Sequence, residues 1–196
     1  MDKRIFSLGM VALGLFSASA RADLDVSLVG AGSYAMPVFS PSQGSVTGQL
    51  GIGYGLLLDW PMTKGFKLQF GISSLPRQYQ VTSALTSATT TTQFSSWHLP
   101  LNFKFQMAPA FYLGLGGYYE QGDSSGSQNW RTLGLASRGF GAMLSAVYDY
   151  PIMPGIGWIL DVRYLLGLSD MDPGATSTLK FSDAVGFTGI RMGFGR

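Results

Sequence analysis

The sequence predicts an all-β protein, an eight-stranded antiparallel up-and-down transmembrane β-barrel. Three observations carry this prediction. The first is alternation: Trp97, Leu99, Leu101, Phe103 and Phe105 are interleaved with His98, Pro100, Asn102, Lys104 and Gln106, a period of two that sends one set to each face of a strand. The second is spacing, because such stretches recur about eight times and the gaps between them are alternately short and long. The third is composition. The chain is 46% hydrophobic and only 12% charged, too little charge for an ordinary soluble domain. Yet beyond the N-terminus no run approaches the roughly 20 apolar residues that a membrane helix needs. A closed sheet with every second residue in lipid reconciles these facts.

The first 22 residues read as a cleaved export signal. Lys3 and Arg4 form a positive start, Ile5 to Phe16 a short apolar core, and Ala20-Arg21-Ala22 a small-residue cleavage site, with Ala18-Ser19-Ala20 as a competing one. Removing residues 1–22 leaves 10 basic and 10 acidic residues, so the pI of 8.9 belongs largely to the signal. No nucleic-acid partner is inferred from it. Residues 23–196 form one barrel domain. The absence of Cys excludes disulfides, thiolate metal sites and thiol nucleophiles.

Strands are expected near 24–35, 46–60, 66–79, 92–107, 111–121, 136–150, 158–168 and 179–194. Long polar gaps, Met36 to Ser45, Gln80 to Thr91, Gly122 to Leu135 and Ser169 to Thr178, form one end. The short gaps, Pro61 to Gly65, Ala108 to Ala110 and Pro151 to Gly157, form the other. Transmembrane barrels have short periplasmic turns and longer outer loops. Aromatic residues beside the short turns, Trp60, Phe66, Phe105, Phe111, Tyr150, Trp158 and Phe194, form one interfacial girdle. Tyr34, Tyr79, Trp97 and Tyr119 form the second, because amphipathic rings favour the headgroup layer. Leu50, Ile52, Tyr54, Leu56 and Leu58 are expected to face outward.

The opposite parity predicts the interior. Asp25, Gln49, Asp59, Lys67, Gln69, Asn102, Lys104, Gln106, Glu120, Asp149, Asp161, Arg163 and Arg191 are expected to point inward. With both signs present, the charged members should pair into a network, since buried charges require partners. Eight strands enclose a space that side chains just fill, with Tyr118 and Arg163 helping to close it. Inward glycines at 51, 53, 55, 114 and 116 either leave room for a narrow pore or permit strong curvature. The reading is a plugged lumen.

Together the signal, eight strands and short turns resemble the small outer-membrane β-barrel proteins of Gram-negative bacteria, of the OmpA-like type. The resemblance covers residues 23–196. The last strand carries Ile190, Met192 and Phe194 on alternate positions, similar to the signal that barrel-assembly machinery reads in this family. Here Gly195-Arg196 follow the aromatic. The resemblance implies an outer-membrane location, lipid and lipopolysaccharide as surroundings, a monomer, and a surface role through the loops, with a narrow porin-like channel as the alternative.

Enzymatic chemistry has one candidate constellation. Ser96 and His98, the single histidine, share a strand face, and Glu120 on the next strand could orient the imidazole. Some barrels of this class are lipid A acyl-modifying enzymes using Ser, His and an acid, but in the deacylase type His precedes Ser by two positions. A chance Ser-x-His pair on a non-enzymatic lumen wall is the favoured reading. No cofactor is expected. One His and no Cys leave zinc without ligands. Asp170 and Asp172 could touch a divalent cation or bridge lipopolysaccharide, but a polar loop tip explains them as well. Thr86 to Thr92 reads as an outer loop. Gly51-Ile52-Gly53-Tyr54-Gly55 lies within a strand and is no dinucleotide fingerprint.

Overall fold

Alternation resolves into eight antiparallel strands: β1 (Leu24–Ser40), β2 (Gly44–Thr63), β3 (Phe66–Ser83), β4 (Thr89–Ala108), β5 (Phe111–Gly122), β6 (Arg138–Met153), β7 (Ile156–Gly167) and β8 (Thr178–Phe194). Each pairs with the next, and β8 returns to β1 to close the barrel. The structure, a computed structural model, describes residues 23–40, 44–83, 88–123, 130–172 and 178–194. The expected signal at 1–22, the terminal Gly195-Arg196 and part of the Thr86–Thr92 stretch lie outside the described residues.

Register fixes the tilt. Partners can be followed from Asp149 through Ile159, Gly189, Val29, Gly55, Ser73, His98 and Glu120 to Gly139. One circuit thus returns to β6 ten residues above its start. Strand number and stagger together set the tilt and width of a barrel, and eight strands leave an interior for side chains alone. The lipid face is as apolar as the alternation requires, with Leu50, Ile52, Tyr54, Leu99, Leu101, Phe103, Leu115 and Leu144 all exposed.

The strands outrun their expected limits at the outer end. Residues 36–40 continue β1 against β8, and β2 starts at Gly44, so most of the expected first loop is sheet. Pro37 does not interrupt it, because the β1–β2 ladder stops at Tyr34↔Leu50 and β1 pairs there with β8. A proline is tolerated where one side of a strand needs no ladder bond. β3 and β4 are likewise paired up to Thr82↔Thr89. By contrast β5 stops at Gly122, β6 starts at Arg138 and β7 stops at Gly167. The outer rim is therefore a tall wall of β8, β1, β2, β3 and β4 with a notch over β5 to β7. Loop segments fill that notch, with Ala136 N donating to Met171 O and Met171 N to Leu179 O, both 2.7 Å.

At the other end the turns are tighter than expected. Pro61 to Thr63 and Pro151 to Met153 belong to strands, leaving Lys64-Gly65, Pro109-Ala110 and Pro154-Gly155 as two-residue turns. Each hairpin has a register shift just before its turn, between Pro61/Thr63, Gln106/Ala108 and Pro151/Met153. The second turn residue is left-handed in all three: Gly65 at φ 80°, Gly155 at 76°, and Ala110 at 63°.

Candidate functional site: a lumen filled in tiers

The inward parity builds three tiers of charge. Nearest the short turns, Lys67 Nζ lies 3.2 Å from both Asp25 and Asp149. Arg191 contacts the same two carboxylates at 3.0 and 2.7 Å, closing a four-membered ring of alternating charge. Lys104 and Asp59 pair beside it at 2.7 Å. At mid-height Arg163 binds Asp161 through Nε and Nη2 and donates from Nη2 to Gln69 Oε1 at 2.6 Å. Gln69 in turn donates to Asp59 Oδ2 at 3.3 Å, joining the tiers. Asn102 Nδ2 donates to Ser145 at 2.8 Å. Such pairs are stable in a closed interior because each charge removed from water meets an opposite one with hydrogen bonds.

The outer tier centres on Arg77. Its Nη2 and Nε donate to Asp183 at 2.6 and 3.1 Å, and its Nη1 donates to Glu120 at 2.6 Å. The nine charges that parity sends inward, Asp25, Asp59, Lys67, Lys104, Glu120, Asp149, Asp161, Arg163 and Arg191, all lie at these lumen contacts, and Arg77 and Asp183, which the sequence reading does not include, join them. Their parity was available: Arg77 is in step with Lys67 and Gln69, and Asp183 with Arg191.

Three other expectations need correction. Gln49 is not inward, because β2 gains a residue between Gln49 and Tyr54. It pairs with Gln78, which stands on the outward parity between buried Arg77 and Tyr79. Gln106 is exposed at the turn end, where it still pairs with Tyr112 just before the register shift. Tyr79 does not join a lipid-facing girdle: it is buried inside the tall rim, its ring 5.6 Å from that of Phe181. The rest of the expected girdle faces outward, with Trp60, Phe105, Tyr150, Trp158 and Phe194 exposed at the turn end and Phe66 and Phe111 half-buried. Tyr34 and Tyr119 are exposed and Trp97 half-buried at the other end.

Nor is the interior simply polar. Val29, Leu57, Leu75, Met143, Val147, Ile159, Val185 and Phe187 form a buried apolar belt among the tiers. Guanidinium groups stack on buried rings, Arg163 over Phe187 of this belt at 4.6 Å and Arg77 over Phe181 above it at 4.7 Å. Such stacking favours weakly hydrated arginine. Above Arg77, Tyr79, Phe94, Leu135, Met171, Leu179 and Phe181 make an apolar roof. The inward glycines do not leave a channel. A Cβ at Gly53 would strike Ser74 O, one at Gly116 would strike Leu101 O, and one at Gly114 the side chains of Asn102 and Ser145. They allow close approach of strands and polar groups. A void of about 10 Å³ between His98, Tyr118, Met143 and Arg163 is room for about one water.

Ser96, His98 and Glu120 are brought together, but not as a hydrolytic relay. Ser96 Oγ lies 2.9 Å from His98 Nε2, and Glu120 Oε2 lies 3.4 Å from that same nitrogen. A triad needs the serine on one imidazole nitrogen and the carboxylate on the other. Here Nδ1 is buried without a partner among the described residues. Glu120 is already engaged by Arg77. Ser96 and His98 are 2% exposed, so a lipid ester has no access to the hydroxyl.

An apolar-outside, charge-paired-inside barrel of eight strands defines the class of small transmembrane β-barrels. Solved structures bear this out at the level of fold. The outer-membrane protein OprG from Pseudomonas aeruginosa is similar at 13% identity, covering 90% of this chain and 97% of that one, TM-score 0.60. Neisserial surface protein A is similar at 12% identity, covering 86% and 96%, TM-score 0.56. The outer-membrane protein AlkL is similar at 12% identity, covering 91% and 94%, TM-score 0.53. No protein-family model and no curated protein matches the sequence.

Proposed function

We propose that this protein is an outer-membrane barrel with a closed lumen, acting as a structural or surface-interaction protein through its outer rim. The observation that supports this reading best is the filling of the lumen at three successive heights by Lys67–Asp25–Arg191–Asp149, Arg163–Asp161 and Arg77–Asp183–Glu120. Solute passage through it would require breaking buried ion pairs. The tall wall and its apolar roof instead present a stiff surface above the membrane. In this reading outer-membrane lipid and lipopolysaccharide surround a monomer, and the rim meets a surface ligand. The barrel-assembly machinery receives β8 through Ile190, Met192 and Phe194, and Ser96 and His98 perform no chemistry.

Location and direction are tested by epitope insertion. A tag placed at exposed Gly134 is expected to be labelled on intact cells, and a tag at Lys64 only after permeabilisation. Labelling of Lys64 alone on intact cells would reverse the orientation, and labelling of neither would remove the outer-membrane reading.

A further inference from the structure

Of the charged residues on the described strands, all but two point into the lumen. The exceptions are Arg138 on β6, exposed between buried Gly139 and the preceding loop, and Lys180 on β8, exposed between buried Leu179 and Phe181. Both are basic and both stand at the outer end. A cation facing hydrocarbon costs about 2–4 kcal/mol at the bilayer midplane and about 0–1 near the interface. That gradient explains why the apolar band carries none. It does not explain why the two outward charges share a sign and flank one strand.

Register places them together. Leu166 on β7 pairs with Ala142 on β6 and with Ser182 on β8. Arg138 lies four residues above Ala142 and Lys180 two above Ser182. The stagger of the barrel lifts β8 relative to β6 by roughly 2.5 residues over two strands, so the two cations stand at nearly one height. They are about 10–12 Å apart across β7, given about 4.8 Å between neighbouring strands measured obliquely. Below them lie the exposed rings and chains of Phe140, Tyr164 and Leu166, which mark the lipid surface. β7 itself ends at Gly167, and residues 168–171 carry the chain on between β6 and β8, with Leu168 N donating to Phe140 O and Met171 N to Leu179 O. The Asp170 carboxylate lies near Lys180 and is anchored by backbone, its Oδ1 accepting from Leu179 N at 2.9 Å and from Asp172 N at 3.0 Å, so the three charges together keep a net positive sign.

Resting on the outer-membrane reading above, we propose that Arg138 and Lys180 clamp the phosphate of an outer-leaflet glycolipid headgroup over the top of β7. Long basic side chains at headgroup height, above an apolar and aromatic wall, match a ligand that is anionic at one end and acyl at the other. Arginine supplies a fork that suits phosphate oxygens, and lysine a mobile point charge.

The test uses the full barrel refolded in detergent, with its fold checked by a heat-shifted gel band. Bisphosphorylated lipid A is titrated onto it, and retention is counted by native mass spectrometry. Arg138→Gln/Lys180→Gln is expected to weaken binding by about tenfold or more, since each basic residue at an anionic surface contributes on the order of 1 kcal/mol. Dephosphorylated lipid A should bind wild type no better than intact lipid A binds the double variant. Lys64→Gln, at the opposite end, should change nothing. Equal retention by the double variant and wild type would overturn the clamp. Displacement of lipid A by an equal concentration of inorganic phosphate would overturn the headgroup assignment in favour of a free-phosphate site. A wild-type band that does not shift on heating would overturn the barrel reading, and the clamp with it.

Discussion

Arg77 and Asp183 join two strands that are not neighbours. The guanidinium of β3 reaches across the lumen to the carboxylate of β8, with Nε and Nη2 both donating to Oδ2, at 3.1 and 2.6 Å. Glu120 on β5 takes the remaining Nη1 at 2.6 Å. One side chain thus ties three walls of the barrel beneath its roof.

Arg77→Met should therefore be among the most damaging substitutions in the chain. It leaves Asp183 and Glu120 buried without a cation, a change that costs about 3–5 kcal/mol. The triple variant Arg77→Met/Glu120→Gln/Asp183→Asn should recover much of this, because no buried charge is then left unpaired. Urea titration of the refolded barrel in lipid checks both. A single variant within about 1 kcal/mol of wild type would show that the tier is not sealed from water.

Ala110 is a strained residue at the tip of the β4–β5 hairpin. A side chain in the left-handed region costs roughly 1–2 kcal/mol, and the equivalent positions of the other two turns are glycines 65 and 155. Ala110→Gly is expected to raise stability by about 1 kcal/mol, while Gly65→Ala or Gly155→Ala should lower it by a similar amount. Paired urea midpoints decide the matter, and a destabilised Ala110→Gly would refute the assigned backbone.

Asp170 gives the rim a dependence on pH. Its carboxylate is held below the usual value of 3.8 by the backbone N–H groups of Leu179 and Asp172. A lowered folded pKa means that the unfolded segment binds the proton more readily. The anchoring contribution is thus complete above about pH 3.8 and fades as pH falls through the lowered value. Hydrogen exchange should show Leu179 N protected at pH 5 and losing protection below that window. In Asp170→Asn the protection should be weaker at pH 5 and no longer vary with acid. A pH-dependent variant would assign the effect elsewhere.

Ser96→Ala and His98→Gln should leave the lipid A mass profile of expressing cells identical to that of wild type and of a deletion strain. Both ends of the presumed relay meet at His98 Nε2, so no proton path runs from serine to acid. A lipid A species that disappears with either variant would restore the enzyme.

Architecture was legible because lipid imposes the same rule on every strand. Outward residues such as Leu50, Ile52 and Leu101 must be apolar whatever the protein does, and the count of eight follows from repeating that rule. What escaped were places where the rule lapses. Above the membrane, β1 and β2 no longer face lipid, so Val38 and Phe39 carry no clean alternation and read as loop. The extra residue between Gln49 and Tyr54 reversed the parity of everything beyond it in β2, an event without a local sequence mark. The charges were largely visible from parity, yet Arg77 lies next to Pro76 near the expected strand end, and Asp183 follows Ser182, which is also buried and blurs the alternation there. Which acid meets which base depends on the stagger of closure, and only the closed barrel supplies it.

The central claim is that the lumen is shut by its own ion pairs. Single-channel recording of the purified, full-length barrel in a planar bilayer tests it most directly. The expected record is a quiet baseline for wild type at moderate voltage and neutral pH. Steady, unitary conductance steps from wild-type protein would contradict the account and favour the narrow-channel alternative.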